Sequence, residues 1–344
     1  MKIKFLRVHS LFLILFSITC FQLNASASLN PLKWFSNNES DSKVIELNNN
    51  YEKGSQRLVK KLTKLKAKGN ETGQQRIYKK ILTNHPRASI AKEAAYNRGV
   101  YLFNKGKWKD AFETFSILKE YHPDFTELDS VIELQFQCAE NLMNQKYKKT
   151  FGFSNPSTLN PKSIPLLREY TKLYPYNENA PLALLSSAKV SQSNKKYDEA
   201  VLSLKEIINS YPDSPYAAEA YFLIPNIYSD LIKGPEYDLE STREAIRYCE
   251  DFIALYPDHK EIGTIEALYQ RMLNALATNR VLLADYYYFN KRNNVAAIIF
   301  YNEAITIAPN SQAAIEAQER LDAIEMGIRP TTGRNFIKKL FFIK

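Results

Sequence analysis

Residues 99–123 read GVYLFNKGKWKDAFETFSILKEYHP, and the spacing of small, aromatic and proline residues in this stretch recurs twice more in the chain. The other copies are residues 188–212, AKVSQSNKKYDEAVLSLKEIINSYP, and residues 285–309, DYYYFNKRNNVAAIIFYNEAITIAP. In each copy the first position precedes an alanine by 12 positions, and a proline follows that alanine after another 12. Two short antiparallel helices and a turn produce this interval, which is typical of tetratricopeptide (TPR) repeats. The sequence therefore predicts an all-α TPR solenoid of about five to six helix pairs.

Close contact between the two helices of a unit explains the small residues of the pattern. Gly99 would face Ala111 in the first copy, and larger side chains such as Phe115 would fill the space beyond them. One helix pair cannot bury both of its faces, so each unit depends on its neighbours. The third copy departs from the pattern because Asp285 stands at the small position.

Prolines mark the ends of the predicted units. They are Pro86, Pro123, Pro175, Pro212, Pro257 and Pro309. Proline lacks an N–H and disfavours helical geometry in the residue before it. Two longer intervals place their extra residues in loops, at residues 151–156 and around Gly234-Pro235. No helix-breaking residue lies between Thr264 and Phe289, so we expect one helix of about 39 Å that links neighbouring repeats.

The N-terminus has the pattern of an export signal. Three basic residues precede an apolar run over residues 11–18, which is too short to span a bilayer. Two routes of processing remain open at this point. Either residues 1–19 form the signal and Cys20 becomes the site of lipid attachment, or ordinary cleavage follows Ala27.

The mature chain divides into three predicted parts. Residues 20–50 are rich in Asn, Ser and Asp and are expected to be a tether. The TPR array is expected over residues 51–326, where helical periodicity continues. Residues 327–344 form a basic and aromatic tail, which either binds a partner groove or an anionic membrane surface, or is a frayed terminus.

The sequence lacks the motifs of catalysis and of metal or cofactor binding. None of its four histidines is paired at helical spacing with another His, Cys or Glu, and no Gly-rich phosphate loop is present. We therefore predict no enzyme, no metal and no cofactor. Cys138 and Cys249 fall inside helical patterns and are expected to be small core residues rather than a disulfide. The formal net charge of +9 falls to about +6 without the signal, and an exported chain is not expected to bind nucleic acid.

What remains is a surface for partners. First-helix residues line the concave side of a TPR superhelix, where an extended peptide can lie. In two of the repeats these candidate groove residues are Tyr96, Val100, Phe103, Leu185, Lys189 and Gln192. The alternative for the aromatic members of this set is packing against the preceding repeat.

The third copy and the segment before it resemble a known family. The last repeats of the BamD (ComL) family are similar to Leu283-Ala284-Asp285-Tyr286-Tyr287, Lys291-Arg292 and Val295-Ala296-Ala297 of this chain. That family comprises periplasmic TPR lipoproteins of the outer-membrane β-barrel assembly machinery. The resemblance implies a partner-docking surface made of Tyr286, Tyr287, Arg292 and Phe300. Where members of the family carry Asn-Arg after the Val-Ala segment, this chain has Ile299-Phe300.

The resemblance implies a scaffold at the periplasmic face of the outer membrane, anchored there by lipid on Cys20. Its N-terminal repeats would receive unfolded barrel precursors. Its C-terminal repeats would dock the outer-membrane barrel-assembly protein beside other assembly lipoproteins. The alternative is a different periplasmic TPR adaptor, soluble if cleavage follows Ala27, which serves cell-wall synthesis or cell division.

Overall fold

The computed structural model describes residues 38–146, 158–232 and 239–327, with side chains from Asn50 onward. These ranges contain thirteen α-helices. In chain order they are α1 (Asn38–Ala67), α2 (Glu71–Asn84), α3 (Ile90–Asn104), α4 (Trp108–Tyr121), α5 (Leu128–Asn144), α6 (Ile164–Leu173), α7 (Ala180–Ser193), α8 (Tyr197–Ser210), α9 (Ala217–Leu231), α10 (Leu239–Leu255), α11 (Ile262–Asp285), α12 (Asn294–Ile307) and α13 (Gln312–Glu325). A 3₁₀ turn, Pro161–Ser163, precedes α6, and a π-helical turn, Tyr286–Lys291, connects α11 towards α12.

Consecutive helices pack against one another along the described chain. Six pairs follow in order, from α1 with α2 to α11 with α12, and α13 packs against both helices of the last pair. Buried apolar side chains fill the space between successive helices in a row of clusters. The prediction of an all-α TPR solenoid with five to six helix pairs is therefore confirmed.

The turn prolines lie at helix ends, as predicted. At the end of α4 the backbone N–H of His122 donates to the Leu118 carbonyl, and Pro123 follows in the turn. The same backbone bond closes α2, α6, α8, α10 and α12. The His122 ring nitrogen Nε2 also lies 2.7 Å from the Pro86 carbonyl oxygen, so successive turns touch each other. Burial lowers the pKa of His122, which favours a neutral ring that donates its N–H to this carbonyl.

The absence of a side chain at Gly99 allows α3 and α4 to touch. A Cβ atom placed on Gly99 would overlap the ring of Phe115, which is fully buried on α4. The tight turn between these two helices depends on a second glycine. Gly106 has a φ of +68°, a left-handed conformation that strains other residues. The predicted close packing of this pair is confirmed.

α11 links two parts of the core, as predicted. Its first half buries Ile265 and Met272 in a cluster with α10. Its second half buries Ala277 and Val281 in a different cluster, with α12 and α13. The regular helix ends at Asp285, and the π-helical turn that follows was not foreseen from periodicity.

The helical array begins earlier than the sequence indicated. α1 starts at Asn38, so residues 38–50 are helical and the predicted tether over residues 20–50 is wrong in that part. Asn, Ser and Asp favour turns and helix caps, which suggested a linker. However, no proline or glycine lies between Asn38 and Lys53, so nothing stops the helix.

Several predicted features lie outside the described residues. They are the export signal, Cys20, the cleavage site after Ala27, the loops at residues 151–156 and around Gly234-Pro235, and residues 328–344 of the tail. Their interpretation stays a prediction.

Both cysteines of the array are core residues. Cys138 and Cys249 are buried free thiols, which confirms the prediction that they are not joined. Burial raises the pKa of each thiol to about 12, so both remain protonated at neutral pH.

Candidate functional site

A groove of about 820 Å³ opens between α1, α3 and the turn that precedes α5. We call it the first-repeat groove. Four apolar side chains line it: Val59 from α1, Ile90 and Tyr96 from α3, and Phe125 from the turn. The rings of Tyr96 and Phe125 are tilted by 45° with their centroids 5.6 Å apart, so they form one aromatic surface.

Polar contacts hold the three walls of the first-repeat groove together. The Glu52 carboxylate on α1 accepts a hydrogen bond of 2.5 Å from the backbone N–H of Ser89, immediately before α3. Lys92 on α3 forms an ion pair of 2.5 Å with Asp124 in the turn. These contacts join α1, α3 and the turn at one end of the groove.

The charged lining of the groove has an excess of acidic groups. Its carboxylates are Glu52, Glu93, Asp124 and Glu127, and its cations are Lys60 and Lys92. The Glu127 carboxylate hydrogen-bonds the Tyr96 hydroxyl and raises the pKa of that tyrosine. Tyr96 is therefore neutral at physiological pH and presents both an aromatic face and a polar tip to the groove.

Only one of the six predicted groove residues lines the first-repeat groove. Tyr96 is there, half-buried. Val100 and Phe103 instead pack on the hydrophobic core, and the Phe103 ring meets the edge of Trp108 at 5.1 Å between centroids. Both side chains therefore contribute to core packing, and the Phe103 contact lies within one helix pair because Trp108 is on α4.

The three predicted groove residues on α7 are not in this groove. Leu185 is 1% exposed, so it belongs to the core and its assignment to a peptide surface is corrected. Lys189 is exposed and forms an ion pair of 2.8 Å with Glu219 on α9. Gln192 is half-buried near the end of α7.

Sequence reasoning missed two apolar walls of the groove. It considered only first-helix positions of the repeats, whereas Phe125 lies in a turn between repeats. Val59 belongs to α1, which lies outside the three TPR copies of the sequence pattern. Phe125 follows Pro123-Asp124, and an aromatic residue just after a turn proline could have indicated it.

The predicted docking residues form a second surface, at the π-helical turn. The rings of Tyr287 and Phe300 are stacked at an interplanar angle of 20° with centroids 5.5 Å apart. The Tyr286 ring meets Tyr287 edge-on at 5.7 Å, and the Lys291 ammonium lies 5.6 Å from the Tyr286 centroid. We call these four residues the aromatic patch.

Arg292 borders the aromatic patch in the turn before α12. Its φ of +53° places its backbone in the left-handed region, and its side chain is exposed. Three of the four predicted docking residues therefore contact one another in series, and the fourth follows directly after Lys291.

Exposed aliphatic residues extend the aromatic patch along α12. Val295 is 72% exposed and Ile299 is 53% exposed, one helical turn apart. The opposite side of α12 buries Ala297 and Tyr301 in the core. α12 therefore has exposed aliphatic side chains on a face without a partner among the described residues. In the sequence alone, the Ile299-Phe300 pair is only a departure from the family pattern.

Within the described ranges no group of His, Cys, Asp and Glu has the arrangement of a metal site. None of the described helices is long and apolar enough to cross a membrane.

Comparison with known proteins identifies the later repeats. Residues 160–328 match the family YfiO, described as an outer membrane lipoprotein, and residues 93–124 match a tetratricopeptide repeat. The similarity to the YfiO outer membrane lipoprotein family covers just under half of the chain. The match includes the aromatic patch and α12, and it begins after the first-repeat groove.

Two curated relatives carry the name outer membrane protein assembly factor BamD. The relative from Caulobacter vibrioides is 24% identical over 160 residues, 46% of this chain and 52% of that protein. The relative from Rickettsia prowazekii is 29% identical over 156 residues, 44% of this chain and 62% of that protein. The match thus spans between half and two thirds of the length of these relatives.

A solved structure of the human IFIT1 dimer with m7Gppp-AAAA also matches. It is 16% identical, covers 77% of this chain and 71% of that chain, and has a TM-score of 0.21. A likeness this low carries no argument about the present chain.

The family confirms several predictions made from the sequence. It is an outer membrane lipoprotein family with TPR repeats, as the resemblance implied. Its curated relatives are assembly factors by name, which agrees with the prediction that the chain is not an enzyme.

Proposed function

We propose that this chain is a scaffold for outer-membrane β-barrel assembly at the periplasmic face of the outer membrane. Its first-repeat groove binds an extended segment of an unfolded barrel precursor. Its aromatic patch and the exposed face of α12 dock the outer-membrane barrel-assembly protein, beside other assembly lipoproteins. Membership of the YfiO family and the names of the two BamD relatives support this proposal.

The first-repeat groove carries the precursor-binding part of the proposal. Its volume of about 820 Å³ is in the range of sites that enclose several side chains of a ligand. Strands of outer-membrane barrels alternate apolar and polar residues, so an extended strand presents apolar side chains on one face. The apolar lining around Tyr96 and Phe125 accepts that face.

The acidic lining adds a preference among precursor segments. Glu127, which hydrogen-bonds the Tyr96 hydroxyl, lies beside the aromatic surface and disfavours a carboxylate placed close to it. A segment with a lysine or arginine at one of its polar positions binds more tightly than the same segment with an acid there. This preference weakens as salt is raised, because the carboxylates are partly exposed.

The docking part of the proposal rests on the exposed side chains around α12. Aromatic and aliphatic residues at the centre of a patch, with Lys291 and Arg292 at its edge, have the composition of a protein interface. The predicted Asn-Arg pair of the family is replaced by Ile299-Phe300 here. We therefore expect docking in this chain to depend on apolar contacts more than on an arginine.

The lipid anchor is the third part of the proposal. Cys20 follows the apolar run of the export signal and is the proposed site of acylation. Each buried methylene of an acyl chain contributes about 0.8 kcal/mol, so multiple acylation fixes a protein at a membrane durably. The alternative, cleavage after Ala27, gives a soluble periplasmic adaptor.

Binding of a fluorescent peptide tests the first-repeat groove. The peptide carries the alternating sequence of the last strand of an outer-membrane barrel, and fluorescence anisotropy gives its Kd. Tyr96→Ala and Phe125→Ala should each weaken binding by at least about tenfold, because each removes part of the aromatic surface. Tyr176→Ala is the matched control, since Tyr176 is 100% exposed and does not line this groove.

Equal Kd values for all three variants would contradict the groove as the binding site. Affinity purification of the tagged chain from envelopes tests the wider proposal, with mass spectrometry of the mature N-terminus. Recovery of the barrel-assembly protein with an acylated Cys20 supports it. Recovery of cell-wall or division proteins, with a free N-terminus at Ser28, would favour the alternative adaptor.

A further inference from the structure

Between Lys53 and Lys68, the second half of α1 and the residue after it carry cations without acids. All seven charged residues between Lys53 and Lys68 are lysine or arginine. All seven are exposed, and Lys53, Arg57, Lys61 and Lys64 follow one another at intervals of three or four residues. Their spacing places them within about 80° of one another around the helix, because each residue advances by about 100°. We call these four residues the basic stripe.

The basic stripe points away from the repeats. Leu58 and Leu62 on the other side of α1 pack in the core of the first repeats. None of the four stripe residues forms an ion pair with a described side chain, whereas Lys66, on a different side of α1, pairs with Glu93. Among the described side chains, the stripe is therefore a row of charges without an acidic partner on the first helix of the array.

We propose that the basic stripe binds the anionic phospholipid headgroups of the membrane in which the chain is anchored. The family is one of outer membrane lipoproteins, so a membrane surface is close to the chain. The proposed lipid site, Cys20, precedes the first residue of α1, Asn38, by 18 residues. Even fully extended, such a segment reaches only about 60 Å, so α1 remains near the bilayer.

The two ends of the described array differ in charge. The exposed charged residues of α13 include Glu319, Asp322 and Glu325, and its one cation, Arg320, is mostly buried and lies 3.7 Å from Asp285. An anionic surface attracts the α1 end and repels α13. The proposal therefore orients the array with its first repeat towards the lipid and its aromatic patch away from it.

A requirement for solubility does not account for the stripe. Terminal repeats need a polar outer face, but either sign of charge provides one, and α13 does so with acids. Nucleic acid is the other polyanion that such a stripe could attract, and an exported lipoprotein rarely meets it. The apolar side of α1 is already packed, so membrane binding by this helix is electrostatic and strongly weakened by salt.

Cosedimentation with lipid vesicles tests the proposal. The mature chain, residues 21–344 without a lipid anchor, is mixed with vesicles of phosphatidylethanolamine and phosphatidylglycerol in a three to one ratio, or of phosphatidylcholine alone. We expect binding to the anionic vesicles only. The variant with Lys53→Gln, Arg57→Gln, Lys61→Gln and Lys64→Gln should bind them on the order of a thousandfold more weakly.

A charge-matched variant controls for the change in net charge. It carries glutamine in place of four exposed lysines away from the stripe, namely Lys107, Lys172, Lys195 and Lys260. This variant should bind the anionic vesicles nearly as well as the unmodified chain. A circular dichroism melt establishes that both variants are folded.

Three results would overturn the proposal. They are equal weakening of vesicle binding in the two quadruple variants, loss of binding only when residues 328–344 are removed, and complete displacement of the chain from vesicles by an equal concentration of a single-stranded oligonucleotide. None of them bears on the first-repeat groove, because peptide binding is measured without membranes. Failure of this inference and failure of the proposed function are thus distinguishable.

Discussion

The Tyr301 hydroxyl donates a hydrogen bond of 2.5 Å to the Asp285 carboxylate. Asp285 occupies the position that Gly99 holds in the first copy of the repeat, and Tyr301 occupies the position of Phe115. In the first copy a ring fits against a glycine, and in the third copy a hydroxyl and a carboxylate make the contact instead. Arg320 on α13 lies 3.7 Å from the same carboxylate oxygen. The acid at the small position is therefore a polar form of the same helix-to-helix contact.

Removing the Tyr301 hydroxyl should destabilise the last repeats. Tyr301→Phe leaves the half-buried Asp285 carboxylate without its hydrogen-bond donor, at a cost of about 1.5–3 kcal/mol. Adding Asp285→Ala restores a small residue opposite phenylalanine, as in the first copy. The double variant should lose less stability than the sum of the two single variants, measured by urea unfolding. Strict additivity would show that the two residues are not coupled.

The pH dependence of stability should reveal the burial of Asp285. Burial raises the pKa of Asp285 above its unfolded value, although Tyr301 and Arg320 oppose this shift. A raised pKa means that folding favours the protonated acid, so this residue's contribution is fully present below the unfolded pKa of about 3.9 and is lost as pH rises through the folded pKa. The Tm of Asp285→Asn relative to the unmodified chain should therefore increase from acidic to neutral pH. A constant difference in Tm would contradict this.

A methyl group at Gly99 should disturb the first TPR copy. Gly99→Ala overpacks the contact with Phe115 and should cost about 1–3 kcal/mol of unfolding free energy. The second copy carries Ala188 and Leu204 at these positions and packs both in its core. The double variant Gly99→Ala, Phe115→Leu should therefore regain part of the lost unfolding free energy, measured by thermal or urea unfolding. Ala111→Gly, on the same helix as Phe115, is the control: it shows how much the unfolding free energy falls when another residue of this helix pair is changed.

Much of the fold could be predicted because small, aromatic and proline residues recur at the fixed intervals of a TPR repeat. The prolines, Gly99 and the continuous α11 were all interpretable from residue type and spacing alone. The start of α1 was not, because polar residues of modest helix propensity continue a helix when its later part is packed. Tertiary packing, rather than local preference, decides such boundaries.

The candidate sites were less predictable than the fold, for a geometric reason. A helix position alone does not tell which neighbouring repeat covers it, so Leu185 and Tyr96 could not be separated by spacing. The first-repeat groove also needs a wall from a turn, Phe125, which the helix pattern does not include. The docking residues were named through a resemblance, and the structure adds that Tyr286, Tyr287 and Phe300 contact in series.

Paired substitutions should separate the core position from the groove position. Leu185→Ala removes a buried side chain and should lower the unfolding free energy by about 2–5 kcal/mol. Tyr96→Ala should change stability less, because Tyr96 is half-buried at the groove, and should weaken peptide binding more. Urea unfolding and peptide anisotropy on both variants provide the comparison. A stable Leu185→Ala variant with reduced peptide binding would reverse our assignment.

The exposed face of α12 should matter for docking and not for folding. Ile299 is 53% exposed, so Ile299→Glu places a charge on the apolar surface without disturbing the core, and the Tm should stay nearly unchanged. Recovery of the barrel-assembly protein with the tagged chain should fall about tenfold or more, because a desolvated carboxylate opposes an apolar interface. Gln312→Glu introduces the same charge at an exposed, already polar residue of α13, away from this face, and is the matched control. Equal recovery with both variants would show that α12 does not provide the docking surface, whereas a lowered Tm for Ile299→Glu would show that this face is packed within the chain.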